Sequence, residues 1–292
     1  CVSQLVLLDS DFSAMPLAVE EGRRCINNIQ RSASLFLVKT IFSFLLSVMF
    51  LFSSSAYPFQ PIQLTLISAL FIGAPSFLLA LEPNKDRVQG RFIANVLKKA
   101  LPGGLTVVLG IGALLVLQNI FSIPQERLSV MAVYVTAGVL YGVLFRVCKP
   151  FRKWHIIMLA VVPAVFCAAC WLVSPLFYIV PLNFSEWLCV ACVIPGELMI
   201  FWGLVNLLGR ILGRWSGGFP PMPRTKKACA GTVLVLSAAY AVWLFLILAD
   251  YLAVRNGAVP IFAMKQPDGT NSGLFYTITN GVFHVFGRDI IP

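Results

Sequence analysis

Apolar and polar residues fall in long blocks along this chain. Runs of about 20 apolar residues, enough to cross the hydrocarbon core of a bilayer, recur at 33–55, 61–81, 101–121, 129–147, 155–174, 186–208 and 229–252. The pattern predicts an all-α polytopic membrane protein with about seven transmembrane helices. Between the runs lie short polar segments. Two of them, YPFQP at 57–61 and SPLFYIVPLNF at 174–184, are rich in proline and aromatics, and others are basic. The segment RFIANVLKKALPGG at 91–104 carries Phe92, Ile93, Val96 and Leu97 at helical spacing beside Arg91, Lys98 and Lys99. It reads either as an interfacial helix or as the start of one continuous helix entering the membrane.

The blocks divide the chain. Residues 1–31 precede the first span, and 32–208 hold six spans. Residues 209–228, with GGFPPMPRTKK at 217–227, form a linker; 229–252 is an extra span, and 253–292 a tail with β-prone pieces such as GLFYTIT and GVFHVFG. The first residue is Cys1 and no signal peptide precedes the first span. We therefore expect the downstream part of a longer polypeptide.

Composition closes off a soluble fold. Of 292 residues, 59% are hydrophobic and 12% charged, against roughly a quarter charged in soluble domains; mean hydropathy is +0.86. Most of the surface must face lipid, which makes the bilayer the first partner. The net charge of +10 would suggest nucleic acid in a soluble chain, but here topology accounts for it and no nucleic-acid partner is expected. With residue 1 inside and every run spanning, 17 Lys and Arg fall on the inner side and 4 on the outer, with Lys39 inside the first span. That asymmetry predicts a multi-pass protein with a cytoplasmic N-terminus and an extracytoplasmic tail.

Charges within spans are costly and mark function by default. The run SLFLVKTIFSFLLSVMFLF places Thr40, Ser43 and Ser47 on one helical face, with Lys39 adjoining it about two turns into the membrane. Two readings stand: a polar stripe on a cation pathway, or hydroxyls bonded back to their own helix with a snorkelling lysine. In the second span, Gly73 and Pro75 of GAPS predict a broken helix whose freed carbonyls face protein or a water cavity, a common ion-site construction in transporters. The candidate pathway is thus Lys39, Thr40, Ser43, Ser68, Gly73 and Pro75, with Glu197, deep in the sixth run, as a further possibility. The pairs Cys167/Cys170 and Cys189/Cys192 have zinc-like spacing but suit plain helix packing better. His155 and His284 stand isolated, and no metal site is expected. No nucleophile–base pair or phosphate loop stands out, so no catalytic residue is assigned.

The opening segment LVLLDSDFSAMPLAVEEGRRCINNIQRSASLFLVKT is specific. Asp9, Ser10, Asp11 and Phe12, then Glu20, Glu21, Gly22 and Arg23, then Asn27 and Asn28 resemble the end of the phosphorylation domain of P-type cation-transporting ATPases and its run into the fifth membrane helix. The six spans that follow match the six helices the family places after this point, so the resemblance covers residues 1–208. It implies a short remnant of an α/β HAD-like phosphorylation domain at the start, then family helices five to ten. RSASLFLVKT and LTLISALFIGAPSFLLALEPN are similar to a bacterial subgroup linked in part to calcium.

The resemblance implies an aspartyl-phosphate ion-translocating ATPase. Mg2+ and ATP would be bound outside this chain, the phosphorylated Asp would lie upstream, and the partners would be the transported cation and the upstream half of the same polypeptide. Thr40 and Ser43 fall where calcium pumps carry an Asn and a Glu; Ser68, Phe71 and Ile72 fall where they carry Asn, Thr and Asp. Lys39 falls where the gastric proton/potassium pump has a lysine. A pump for another cation, and a channel or secondary carrier without ATPase, remain alternatives.

Overall fold

Each long apolar run forms a helix because its residues leave the backbone no partner in lipid but itself. The computed structural model describes residues 12–52, 56–88, 90–121, 123–215 and the strands of the tail. After a turn of 3-10 helix at Phe12–Ala14 come α1 (Met15–Leu51), α2 (Pro61–Ala80), α3 (Phe92–Phe121), α4 (Gln125–Val147), α5 (Lys153–Leu172) and α6 (Phe184–Trp215). Six helices among the described residues are long and apolar enough to cross a membrane. The expected phosphorylation-domain remnant before residue 12 and the seventh span at 229–252 lie outside the described residues, as does most of the 209–228 linker. α6 runs on into the first part of that linker.

The 37 residues of α1 make a rod of about 55 Å, well beyond a bilayer core of about 30 Å. The excess length falls in its charged N-terminal half, which we call the stalk. α3 is likewise one continuous helix from Phe92, so the interfacial-helix reading of 91–104 gives way to the continuous one. Pro102 inside it has no N–H for the Lys98 carbonyl; the Arg146 guanidinium donates to that oxygen instead, at 3.1 Å.

α4 is the central post. Leu128, Met131, Val135, Val139, Leu140 and Val143 are all sealed from the outside. α1 lies along α3 through Leu35, Val38, Phe42 and Leu46, one stripe at three- and four-residue spacing. Hydrocarbon gives helices no hydrophobic reason to associate, so close packing must serve. At Gly104 a Cβ would lie 2.5 Å from Ile41 Cγ2, so the two backbones approach as only glycine allows.

Side-chain links show which loops share an end. At one end, Asn28 Nδ2 donates to the carbonyls of Ala80 (3.0 Å) and Glu82 (2.7 Å), and Asn27 Nδ2 to that of Asp86 (2.8 Å). At the other, Gln125 Nε2 donates to the Tyr57 carbonyl (3.3 Å), and Ser129 Oγ donates to Gln63 Oε1 (2.6 Å). The six helices therefore run alternately up and down. The first end carries Arg31, Lys98, Lys99, Arg146 and Arg152, and the second only Arg127 among the described loops, as the positive-inside reading requires.

The tail forms a five-stranded antiparallel meander in sequence order, β1 Met264–Lys265, β2 Asn271–Gly273, β3 Tyr276–Thr279, β4 Val282–Val285 and β5 Arg288–Ile290. The β-prone pieces of the sequence are β3 and β4, with Thr279 paired to Val282.

Candidate functional site

The second span does not break. Its backbone stays right-handed and helical through Ser68 (φ −66, ψ −40), Gly73 (−64, −60) and Ala74 (−59, −47). Instead it widens: Ser68–Gly73 is a π-helical turn between α-helical halves, and the Ala74 N–H bonds the Ala69 carbonyl five residues back. Pro75 supplies the reason. An α-turn would drive its ring against the carbonyl four residues earlier; the wider turn relieves that clash without opening the chain. π-turns of this kind are frequent at functional sites.

The hydroxyls of the candidate pathway mostly bond back to their own helices. Thr40 Oγ1 donates to the Phe36 carbonyl (3.3 Å), Ser47 Oγ to Ser43 (2.8 Å) and Ser68 Oγ to Leu64 (2.5 Å). Thr40 and Ser47 lie on the exposed face of α1, with Phe36, Phe44 and Leu51. Ser43 and Lys39 are half-buried; Ser68 and Gly73 are half-buried on α2, and Pro75 is buried. These residues occupy two adjacent helices but make no shared polar cavity among the described residues. The backward bonding is the local alternative read from the sequence; the other face of the stripe is open.

Glu197 is different. It is 2% exposed, at the middle of α6, and neither carboxylate oxygen has a hydrogen-bond partner.

The strongest polar cluster was missed by the sequence reading. Glu82, just past α2, meets Arg31 of α1 (Nη1–Oε2 2.5 Å), Arg152 (Nη1–Oε1 3.1 Å) and His155 of α5 (Nε2–Oε2 3.0 Å). His155 is therefore not isolated: its Nδ1 accepts from the Arg152 N–H (3.2 Å), fixing the start of α5. The Asn27–Asn28 pair clamps the same loop. Next to it Cys148 is buried, and that burial pushes its thiol up to about 12. On the exposed stalk, Lys85 Nζ pairs with Glu20 (2.6 Å), and that bond raises the Lys85 ammonium above its ordinary value. The available signal was an acid directly after a span, flanked by Pro83, with Arg31 just before the first apolar run and Arg152 just before the fifth.

The paired cysteines do not converge. Tyr134 of α4 stands between them, ring-on-ring with Phe166 of α5 (5.9 Å) and Trp187 of α6 (5.0 Å). Among the described residues no group of three or more His, Cys, Asp or Glu could hold a metal ion.

A bundle of six up-and-down spans with a long stalk helix, a π-turn and charged residues held at one end is the membrane part of a multi-pass protein. Over about half its length the chain is homologous to cation-transporting ATPases. It is 35% identical over 173 residues to the calcium-transporting ATPase CtpE of Mycolicibacterium smegmatis, covering 54% of this chain and 22% of that one. It is 34% identical over 166 residues to the probable cation-transporting ATPase exp7 of Streptococcus pneumoniae, covering 54% and 21%. Over 84 residues it is 32% identical to the P-type sodium-transporting ATPase4 of Toxoplasma gondii, covering 29% and 6%. The chain thus spans about a fifth of the length of the first two relatives. These homologues support the P-type cation ATPase resemblance read from the opening segment. No protein-family model and no solved structure matches the chain.

Proposed function

We propose that this chain forms the transmembrane, ion-pathway half of an ATP-driven P-type cation pump of the plasma membrane, and that the cation is calcium. The similarity to cation-transporting ATPases at about a third identity carries the reading, and the π-turn of α2 beside the polar stripe of α1 agrees with it. In the complete protein an aspartate outside this chain would take the terminal phosphoryl group of ATP, with Mg2+ bound, and release ADP. The pathway runs between α1 and α2, past Lys39, Thr40, Ser43, Ser68, Gly73 and Pro75. Calcium would have few anionic ligands there, since neither span carries a carboxylate. This favours, as a second reading, a pump for a monovalent cation.

The test is ATP-driven uptake into inverted vesicles holding the full-length protein, with labelled calcium, sodium and potassium compared. We expect calcium uptake and a calcium-dependent, acid-stable phosphoenzyme. Uptake of another ion alone selects the second reading; no phosphoenzyme under any ion overturns the pump.

In the same assay Lys39 has a definite expected role. An ammonium in hydrocarbon costs about 2.5–3.5 kcal/mol on insertion scales, so its retention needs a function. Lys39→Met should change transport or its dependence on counter-ions while leaving insertion intact, and Lys39→Arg should not restore it, because the planar fork differs in shape and hydration. Unchanged transport in both variants would make Lys39 a snorkelling residue.

A further inference from the structure

Outside the α1–α2 pathway, Glu197 is a buried acid with no structural duty. α6 rests on α3 and α4 across glycines: Gly138 faces Ile194 and Gly142 faces Leu198. Between those contacts the Glu197 side chain turns onto Gly110 of α3. A Cβ added at Gly110 would stand 1.2 Å from Glu197 Oε1. The absence of a side chain at Gly110 is therefore what makes room for the carboxyl group.

What can occupy this seat follows from what surrounds it. Both oxygens are buried and unpartnered, and the helical backbone beneath them has its own bonds. A metal ion needs several oxygen ligands, and no second acid, His or Cys joins this one in a ligating group among the described residues. A counter-charge is equally distant. On α3 the nearest cation in sequence is Lys99, 11 residues from Gly110, or about 16 Å along the helix. On α4 the charged groups are Arg146 at one end and Glu126 and Arg127 at the other. On α6 itself Glu186 stands 11 residues away and pairs with Arg127 (3.1 Å). The other ionisable groups within these spans, Tyr134, Tyr141, Cys189 and Cys192, are neutral in their ordinary forms. An ionised carboxylate left alone in such a place is too costly to persist and neutralises instead.

We propose that Glu197 is a proton-binding site of the membrane domain, holding one exchangeable proton at the α3–α4–α6 junction. Protonation forms one O–H bond on the carboxyl, the proton coming from water; release returns it to water when α6 lifts from the glycine seat. The site is separate from the α1–α2 pathway and independent of which cation moves there.

The test uses the full-length protein reconstituted in lipid vesicles. Infrared spectra of wild type and Glu197→Gln, a variant of nearly the same volume, are compared at neutral pH, in H2O and after exchange into D2O. We expect a carbonyl band of an un-ionised acid in wild type, absent from the variant and shifted in D2O. Incubation with dicyclohexylcarbodiimide, which adds to protonated carboxyls within membranes, should place one reagent mass on the peptide containing Glu197 and none on the variant. An ionised-carboxylate band in place of the acid band would overturn the proposal. An acid band that never shifts in D2O would show a fixed proton, and would overturn it equally.

Discussion

Glycine 104 shows how a single atom sets the spacing of two helices. Its missing Cβ lets Ile41 of α1 lie against the α3 backbone. Gly104→Ala must therefore separate α1 from α3 or force Ile41 off its rotamer, an overpacking cost of about 1–3 kcal/mol. We expect a melting temperature several degrees lower in detergent. Gly112→Ala on the same helix meets nothing within 4 Å and should leave it unchanged or slightly higher, since Ala is the better helix former; equal loss from both would show that the Ile41 contact does not set the cost. Cys148 makes a chemical counterpart. Burial holds its thiol at about 12, so near neutral pH it stays a protonated, unreactive thiol. Maleimide should label exposed Cys25 and spare Cys148, as read by peptide mass, and both should label once the protein is denatured. None of this residue-scale detail was legible beforehand. Sequence spacing marks a glycine but not its neighbour, and the arginines that meet Glu82 lie 51 and 70 positions from it.

At the scale of elements the reading went further. All the helical spans in the described residues stand near where apolar run length placed them, because a stretch without polar side chains has no alternative in lipid to a self-bonded helix. The miss was in α2, where proline and glycine predicted a break. The segment kept every residue helical by widening one turn. A π-turn is in effect an α-helix with one residue too many, and this gives a sharp expectation. Deleting Ala69, an exposed residue inside the π-turn, lets the turn close to α while residues before and after keep their faces. Deleting Thr65, equally exposed but in the α-helical half, rotates its neighbours by about 100° against α4. We expect the Ala69 deletion to insert but to melt a few degrees low, since closing the turn returns the Pro75 ring to the carbonyl four residues earlier, and the Thr65 deletion to lose more. Pathway residues are the sharper readout, since Ser68 and Gly73 bound the turn that closes. The Ala69 deletion should therefore fail in transport although it folds. Transport at the wild-type rate would mean that the π-turn is only an accommodation of Pro75.

The whole molecule is held at its two ends. At the basic end Glu82 ties stalk helix, α2 and α5 together, and at the other Gln63, Ser129 and the Arg127–Glu186 pair join α2, α4 and α6. Between these knots the helices meet through apolar side chains and glycine, surfaces that slide at small cost compared with breaking a buried ion pair, which costs about 3–5 kcal/mol. In the proposed pump, a push on the stalk would enter the bundle at this basic-end knot. The phosphoryl acceptor of the proposed pump is expected upstream of this chain, as the resemblance implies. The 292-residue chain purified by itself should therefore incorporate no acid-stable phosphate from magnesium-ATP and hydrolyse none. The full-length protein should do both, and Glu82→Gln within it should uncouple them from transport. Removing that charge leaves Arg31 unpaired beside the stalk, so phosphorylation should persist while ion uptake falls, provided the variant is recovered folded, as judged by its elution in detergent. Phosphoenzyme formed by the isolated chain would overturn the division of labour. Uptake in Glu82→Gln equal to wild type would show that the knot secures the fold without carrying the stroke.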